Sequence, residues 1–533
     1  MRVYNTLGGQ KQELQTVKPH EVNIYVCGPT TYNYIHLGNA RPLVVFDTIR
    51  RYLEYRGQRV KYVQNFTDVD DKIIKRANQE ERDPVELAGG YIEEYFKDAD
   101  ALNIRRADVH PRVSQHIPQI IAAIDTLVEK GAAYQVDGDV YFRVRSFPEY
   151  GKLSGRSREE MLSGARVEVD ERKEDPADFA LWKAAKPGEP SWDSPWGRGR
   201  PGWHIECSVM ATHYLGETVD IHGGGADLIF PHHENEIAQA EALTGKPFVN
   251  YWLHNGFITI NQEKMSKSLG NFFLLRDILD KFPPDVVRFY LIATHYRSPL
   301  DFDDGKLKEA RRALGRLKTA LALGEEFAAG NRPGKRELPG EAARLLARFE
   351  ELHQDFCQAM DDDFNTARAI GAMFEMAHAL NSFTASANPR DMGNKNAAAQ
   401  AVQTLRELGE VLGFFMDTAA RENDEDPTLK ILELLVQLRQ QARQEKDYPL
   451  ADRIRDRLVY LQVQAEDTPE GTRFRYEVLP PLEEVVEELI SLRAEAKGQR
   501  AFARADFIRD GLKDRGVILE DTREGARWKL ADD

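Results

Sequence analysis

Two of the three cysteines in this chain lie close to residues that can bind metals. Cys27 follows a short apolar segment, and Cys207 ends the run Gly-Trp-His-Ile-Glu-Cys. Further along, His232 and Glu236 are four positions apart, so a helix starting there would place both side chains on one face. Two thiolates, an imidazole and a carboxylate form a zinc-ligand set. The spacing alone leaves open a second interpretation, namely two buried thiols and a solvated helix start. Cys357, alone in a helical pattern, is interpreted as an ordinary core residue.

Two other segments have the composition of phosphate-binding sites. His36-Leu37-Gly38-Asn39 lies where a strand pattern gives way to a helix pattern, and a helix N-terminus offers N–H groups and a positive dipole end to phosphate. Lys264-Met265-Ser266-Lys267-Ser268 suits a loop that stabilises the negative charge developing on a transferred phosphate. The alternatives are a histidine that caps a helix and an ordinary exposed basic loop.

A glycine-rich run, His222-Gly223-Gly224-Gly225-Ala226-Asp227, follows a predicted strand. Three glycines would let a flat ring approach the backbone, and Asp227 could accept hydrogen bonds from ribose hydroxyls. A bare glycine-rich turn is the alternative.

The elements that must position these residues follow an α/β order. Residues 23–26 and 59–64 have the pattern of buried strands, and the apolar periodicity after Gly38 predicts a helix between them. This order is typical of a parallel sheet, whose strands bind ligands at their carboxyl ends. We therefore expect an α/β fold: a Rossmann-type parallel-sheet catalytic domain with an insertion, then an α-helical bundle and a small duplicated C-terminal module. The expected boundaries are 1–115 and 201–255 for the two catalytic halves, 116–200 for the insertion, 256–304 for the linker region with the Lys264–Ser268 loop, 305–420 for the bundle, and 429–476 and 482–533 for the two module copies.

The tail repeats itself at a constant offset of 54 residues. Leu438-Arg439 recurs as Leu492-Arg493, and Glu466-Asp467-Thr468 recurs as Glu520-Asp521-Thr522. An ungapped repeat of this kind indicates a duplicated module. Each copy has the pattern of a helical hairpin that ends in a short β-like segment.

Composition narrows the class of protein. The 533 residues include 72 Lys plus Arg and 87 Asp plus Glu, a net charge of −15, which argues against a uniformly basic nucleic-acid coat but not against a local basic face. The sequence has neither an apolar run of about 18 residues nor the apolar core of a signal peptide, and three cysteines fit a reducing compartment. We expect a cytoplasmic protein with no membrane segment. A basic strip is predicted on the helix after the Lys264–Ser268 loop, formed by Lys306, Lys308, Arg311, Arg312, Arg316 and Lys318.

Taken together, these segments resemble the class I aminoacyl-tRNA synthetases. His36–Asn39 is similar to their HIGH motif, and Lys264–Ser268 matches their KMSKS motif. Longer strings resemble the cysteinyl-tRNA synthetases, over about residues 1–476. These strings are Tyr25–Thr30, Asn65–Lys75, Gly202–Cys207 and Asp220–Glu236.

The resemblance implies an ATP-dependent ligase that joins cysteine to the 3′ end of tRNA(Cys) by way of cysteinyl-adenylate, with the helical bundle binding tRNA. It implies one Zn²⁺ per chain, held by Cys27, Cys207, His232 and Glu236, which would select the substrate thiolate. Gly28, Thr67 and Trp203 would line the amino-acid pocket. His36, Asn39, Lys264 and Lys267 would act on the ATP phosphates, with Mg²⁺, and Gly224 and Asp227 would lie near adenosine. We expect a monomer.

Two features depart from the family pattern: Asn39 stands where the general class motif ends in His, and residues 482–533 form a second tail copy. A cysteine:amine ligase of the mycothiol pathway has a similar catalytic domain, but the helical region around Asp361–Thr366 and the tail argue against it. A non-catalytic RNA-binding paralogue is disfavoured by the intact motif residues. Lys72-Ile73-Ile74-Lys75 resembles a family motif linked to pyridoxal-phosphate-dependent persulfide formation, although these lysines also suit a solvated helix face.

Overall fold

The computed structural model describes residues 1–156, 171–260, 263–264, 273–330, 338–415, 427–461, 463–468, 471–476, 480–522 and 525–530. These residues form two compact units, one before and one after residues 416–426. The sequence also predicts a loop at 330–340, from its Pro and Gly residues, and a linker at 424–427, and most of both segments falls outside the described residues.

A four-stranded parallel sheet forms the core of the first unit. Its strands are rich in Val, Ile and Tyr and are buried on both faces, as strands of a parallel sheet must be. In sheet order they are Val249–Asn255, Val219–Gly225, Glu21–Val26 and Arg59–Gln64. The two central strands end side by side, because Val26 lies opposite Gly223. Residues that follow these strands therefore meet at one edge of the sheet.

Helices pack around this sheet. The helix Leu37–Tyr55 crosses from one strand to its parallel neighbour and buries Leu43, Val44, Phe46 and Ile49 against the sheet. Among the described residues from 71 to 292, the other α-helices are Asp71–Glu80, Pro84–Ala101, Ile117–Glu129, Ile205–Leu215, Glu234–Thr244, Leu275–Leu279 and Pro284–Ile292. Three short strands form a separate sheet: Ile258–Ile260, Glu263–Lys264 and Leu300–Asp301. The predicted Rossmann-type α/β fold is confirmed.

An antiparallel sheet interrupts the parallel one in sequence. Ala133–Val136 and Asp139–Phe142 form a hairpin of the kind that an Asp-Gly pair predicts, and Asp137 and Gly138 both have positive φ, as a tight hairpin turn requires. The sheet is completed by Phe179–Ala184 and Gly199–Pro201. This antiparallel insertion precedes the strand Val219–Gly225, where the parallel sheet resumes.

Four long helices form the last part of the first unit: Asp304–Ala328, Gly340–Asp361, Thr366–Ser386 and Met392–Val411. Each buries one apolar stripe at helix spacing, such as Leu307, Leu314 and Leu321, in the bundle core. No helix among the described residues is both long and apolar enough to span a bilayer.

The second unit contains both copies of the repeat. Each copy is a helical hairpin followed by a β-hairpin, as the sequence predicted. The first copy comprises Pro427–Gln444, Tyr448–Tyr460, Val463–Thr468 and Gly471–Tyr476. The second comprises Leu482–Gly498, Phe502–Lys513, Val517–Thr522 and Gly525–Leu530. Apolar side chains of both copies, including Leu435 and Leu489, belong to one continuous core.

Candidate active site and metal centre

Three elements bring the predicted metal ligands together at the carboxyl edge of the parallel sheet. Cys27 follows the strand Glu21–Val26, and Cys207 lies in the first turn of the helix Ile205–Leu215. The segment Ile229–His233 and the helix Glu234–Thr244 supply the third element, which carries His232 and Glu236. Cys27 is thus about 200 positions away from the other ligands in sequence, and folding of the sheet brings it next to them.

The four predicted ligands form one compact cluster. The Cys27 and Cys207 Sγ atoms are 3.7 Å apart, the Cys27 Sγ lies 3.4 Å from Glu236 Oε1, and His232 Nε2 lies 3.0 Å from the same Oε1. One ligand atom from each residue lies within 4.8 Å of the other three. A four-coordinate metal ion needs this arrangement, since its ligand atoms surround one point at about 2.0–2.3 Å.

A second set of donors satisfies the same distance condition. It keeps Cys27 and Glu236 but has His222 and His233 in place of Cys207 and His232, with His222 Nε2 2.9 Å from Glu236 Oε2 and His233 Nε2 3.5 Å from the Cys27 Sγ. Neither His222 nor His233 belongs to the ligand set that the family resemblance implies. Geometry therefore identifies a centre that can hold a metal ion, with two shared residues and two ways to complete the set.

Burial and charge in the cluster favour a cation. Burial alone would raise the pKa of Glu236, but His222 and His232 hold it well below the usual range, so this carboxyl group is ionised. Burial alone would lower the pKa of His232, but Glu236 and Cys207 raise it to about 10. For Cys207, burial raises the pKa but hydrogen bonds with Cys27 and His232 lower it to about 6. Burial and the neighbouring anions raise the pKa of Cys27.

Three histidines, His204, His222 and His254, lie within hydrogen-bonding distance of side chains in the two ligand sets, and the sequence patterns predicted a role for none of them. His204 Nδ1 lies 2.8 Å from His232 Nδ1, and His222 Nε2 lies 2.9 Å from Glu236 Oε2. His254 Nε2 lies 2.7 Å from His233 Nδ1. Such contacts orient metal-binding side chains and tune their basicity. His204 and His222 lie within the strings Gly202–Cys207 and Asp220–Glu236, but His254 is an isolated residue that belongs to no local pattern.

The predicted amino-acid pocket residues lie around this cluster. Trp203 is 39% exposed and its ring centroid lies 4.4 Å from that of His232, so it covers the cluster on the solvent side. Gly28 must be glycine, because a Cβ there would lie 1.6 Å from the Asn65 carbonyl oxygen. Thr67 Oγ1 donates a 2.8 Å hydrogen bond to Glu206, a buried carboxyl group whose pKa is raised well above the usual range by burial. The sequence analysis did not single out Glu206.

The His36–Asn39 motif forms a capping box. The backbone N–H of Asn39 donates to His36 Nδ1, and the backbone N–H of His36 donates to Asn39 Oδ1, both at 3.2 Å. The capping alternative is therefore present in the structure. It does not compete with a phosphate role, because an Nδ1 that accepts a hydrogen bond leaves Nε2 as the donor nitrogen of the neutral ring.

The glycine-rich run is explained by internal packing. A Cβ at Gly223 would meet the Phe46 ring at 2.1 Å, and one at Gly224 would meet Leu228 and His233 at about 3 Å. Side chains of the protein itself thus fill the space beside these glycines in which a flat ligand ring was expected. Asp227 is exposed just beyond the strand, and the adenosine contact of Gly224 and Asp227 stays a prediction.

Of the two lysines in the KMSKS-like motif, Lys264 pairs in a strand with Thr259, and Lys267 lies outside the described residues. The basic strip on the helix Asp304–Ala328 is smaller than predicted. Lys306 and Lys318 are ion-paired, with Asp301 at 2.6 Å and Asp285 at 2.5 Å respectively. Lys308, Arg312 and Arg316 are exposed at i, i+4 and i+8, so they share one face.

Comparison with known proteins places this fold and site in a class. A sequence model of the tRNA synthetases class I (C) catalytic domain matches residues 13–312, and a DALR domain model matches residues 355–416. The first 416 residues are thus those of a class I aminoacyl-tRNA synthetase.

Curated relatives narrow the class to one family. The chain is 60% identical over 486 residues to a cysteine–tRNA ligase of Pelotomaculum thermopropionicum, covering 89% of this chain and 99% of the relative. It is also 60% identical over 477 residues to a cysteine–tRNA ligase of Moorella thermoacetica, covering 89% of this chain and 100% of the relative. The chain belongs to the cysteine–tRNA ligase family. The 11% outside these matches is about the size of the second tail copy.

Solved structures agree on the fold. A methionyl-tRNA synthetase of Mycobacterium tuberculosis, in complex with methionyl-adenylate, superposes with a TM-score of 0.58 at 16% identity, covering 75% of this chain and 92% of that chain. The LeuRS of Agrobacterium radiobacter K84, in a ternary complex with tRNA, gives 0.54 at 12% identity, covering 76% and 87%.

Proposed function

We propose that the chain activates cysteine with ATP to form cysteinyl-adenylate and transfers the cysteinyl group to the 3′ end of tRNA(Cys), with zinc selecting the substrate thiolate. One observation supports this most strongly. A half-buried cysteine, a buried cysteine, a histidine and a glutamate converge beside Trp203 at the carboxyl edge of the sheet, where open α/β folds bind their ligands.

The donor set fits a zinc ion. Cys27, Cys207, His232 and Glu236 are the S₂NO combination that zinc accepts, and all four ligand atoms are within reach of one ion. Burial and the neighbouring anions raise the pKa of the Cys27 thiol, and a bound Zn²⁺ would lower it, since a thiol that coordinates a metal ion is deprotonated. Of the two possible sets we favour this one, since it contains both thiols and zinc prefers soft sulfur ligands.

When bound, zinc would take the substrate thiolate as a ligand, a bond that the hydroxyl of serine cannot match. The chain's own residues do the remaining work of selection. His204 and His222 hold His232 and Glu236 in place. Trp203 limits access from solvent, and Gly28 lines the amino-acid pocket, where only a glycine fits against the Asn65 carbonyl.

In adenylation, we assign the charge-stabilising role to His36, Asn39, Lys264 and Lys267, with Mg²⁺ on the phosphates and Gly224 and Asp227 near adenosine. The cysteine carboxylate attacks the α-phosphate in line, and pyrophosphate leaves. Nε2 of His36 would donate to a phosphate oxygen while Nδ1 stays bound to Asn39. No side chain acts as a nucleophile, since positioning and electrostatics accelerate the reaction.

In transfer, the terminal adenosine of tRNA attacks the adenylate carbonyl through its 2′-hydroxyl. We assign the exposed Lys308, Arg312 and Arg316 face to the tRNA backbone and the first tail copy to anticodon recognition. We expect the enzyme to act as a cytoplasmic monomer. All three cysteines are free thiols, as a reducing compartment would keep them.

The test is aminoacylation of tRNA(Cys) before and after chelation of zinc, together with cysteine-dependent exchange of pyrophosphate into ATP. Chelation should abolish cysteine activation, and added Zn²⁺ should restore it. Transfer of cysteine to a sugar amine instead of tRNA would identify the chain as a cysteine:amine ligase. Exchange that does not depend on cysteine would refute the proposal altogether.

A further inference from the structure

The two tail copies build the same helix-to-helix turn, atom for atom in their backbone hydrogen bonds. In the first copy, the N–H of Lys446 donates to Arg443 at 3.1 Å and that of Asp447 donates to Ala442 at 2.8 Å. Fifty-four residues later, the N–H of Arg500 donates to Lys497 at 3.1 Å and that of Ala501 donates to Ala496 at 2.8 Å. This bond pair is the Schellman ending of a helix.

Each turn presents a basic residue and an aromatic residue to solvent. Lys446 and Arg500 occupy the left-handed position that usually favours glycine, both with φ of 61°. Two residues further on, Tyr448 is 57% exposed and Phe502 is 60% exposed. Both rings thus present a flat apolar face to the solvent, beside a basic residue.

The turn of the second copy is the more basic one. Its Gln499 and Ala501 stand where the first copy has Glu445 and Asp447, so the net charge changes from zero over residues 443–448 to +2 over residues 497–502. The exchange removes the carboxylate that caps the following helix in the first copy. The second turn therefore gains positive charge at the expense of a helix cap.

The two turns lie next to each other within the second unit. Arg504 contacts Glu445 at 3.1 Å and Asp447 at 3.0 Å, so the second copy also neutralises the carboxylates of the first turn. In the part of the chain that the structure describes, neither Lys446 nor Arg500 forms an ion pair. The paired turns thus present two exposed aromatic rings and unneutralised positive charge in a protein whose net charge is −15.

We propose that the second copy carries an RNA-binding turn of its own, in which Phe502 stacks on an unpaired base and Arg500 contacts the adjoining phosphate, beside the equivalent turn of the first copy. This inference rests on the proposed function, because tRNA is the RNA that such an enzyme holds. Unpaired loop nucleotides are what exposed aromatic rings and flanking basic residues recognise, since every base offers a flat face and every linkage a negative charge.

The first experiment measures the Kd of the full-length enzyme for tRNA(Cys) with Phe502→Ala and Phe502→Trp variants. Removal of the ring should weaken binding at least about fivefold, and the tryptophan variant should retain it. The control is Phe507→Ala, because Phe507 is a partly exposed aromatic residue (37%) of the same helix that lies about 140° around the helix from Phe502. An unchanged Kd for Phe502→Ala, or an equal loss for Phe507→Ala, would overturn the inference.

The second experiment tests the charge. Arg500→Asn keeps a residue that tolerates the left-handed conformation and removes the positive charge. The slope of log K against log salt should fall by about 0.7, the value for one phosphate contact on a single strand. Lys513→Asn is the control, since Lys513 ends the helix that begins at Phe502 and lies about 17 Å from that residue. An unchanged slope for Arg500→Asn would count against RNA contact.

A cysteine-dependent pyrophosphate exchange assay separates this inference from the proposed function. Every variant in the second unit should retain wild-type exchange, because adenylation takes place in the first unit. Wild-type exchange and charging with unaltered tRNA affinity in both the Phe502 and Arg500 variants would reject the RNA-binding turn alone. Loss of cysteine-dependent exchange in the unmodified enzyme would reject the proposed function.

Discussion

The Sγ atoms of Cys27 and Cys207 lie 3.7 Å apart although 180 residues separate them in sequence. This proximity depends on two independent elements, the end of a central strand and the start of a helix. Sulfurs at this distance are not bonded, since a disulfide is about 2.05 Å long. The pair is therefore set at the separation that two thiolates have when they share one metal ion.

Replacing either sulfur or the imidazole should remove zinc and substrate selection together. For Cys207→Ser or His232→Ala we expect loss of bound zinc and a fall in the preference for cysteine over serine, from the order of 10⁴ toward the order of 10² that a pocket without a metal reaches. Metal content and exchange rates with each amino acid check this. Cys357→Ser, in the helical bundle, is the matched control and should change neither. A zinc-free variant that still rejects serine fully would contradict the role of the metal.

Substitution of His36 can separate its capping role from its proposed role on phosphate. Asparagine is a good N-cap, so His36→Asn should keep the free energy of unfolding within about 0.5 kcal/mol of the wild type. Without the imidazole, adenylation should slow by about 10- to 100-fold, the value of a hydrogen bond to a charged group. Urea titration and pyrophosphate exchange measure the two effects. A variant with full exchange activity would leave His36 as a helix cap alone.

How far the sequence predicts this molecule depends on the range of the interactions. Strand and helix patterns are local, so the strand Arg59–Gln64 and the tail repeat were predicted closely. The zinc-ligand set was complete only through family resemblance, since spacing alone left it open. Contacts between distant segments were missed, as with His254 beside His233 and Asp285 beside Lys318. Such pairs form only when folding brings their segments together, so the periodicity of the sequence does not predict them.

The exposed face of the helix Asp304–Ala328 should contribute to tRNA affinity through charge. Replacing Lys308 and Arg312 with glutamine should reduce the slope of log K against log salt by about 1.8, since each phosphate contact contributes about 0.9 on a duplex. The control is Lys246→Gln, because Lys246 precedes the strand Val249–Asn255 and so lies at the amino edge of the sheet, away from the site. Filter binding at several salt concentrations gives the slopes. Equal slopes for all variants would show that this face is merely solvated.

The shared core of the second unit predicts that its two copies unfold together. Leu435 and Leu489 are equivalent residues of the repeat, both fully buried in one cluster that contains side chains from each copy. Either leucine-to-alanine substitution should cost about 2–5 kcal/mol, the usual range for a buried leucine. Because the core is continuous, the loss should appear in the helices of both copies.

Hydrogen exchange followed by mass spectrometry can resolve the two copies. We expect Leu489→Ala to speed exchange in Pro427–Gln444 as well as in Leu482–Gly498, and Leu435→Ala to do the same in reverse. Tyr460→Ala, at an exposed position, should leave both segments protected. Faster exchange confined to the mutated copy would mean that the copies fold independently.

If the two copies are coupled, deletion of residues 478–533 would expose the core of the first copy. A rise in the KM for tRNA after this deletion would then reflect damage to the first copy as well as lost RNA contacts. Point substitutions at Arg500 and Phe502 avoid this difficulty, since both side chains lie outside the shared core.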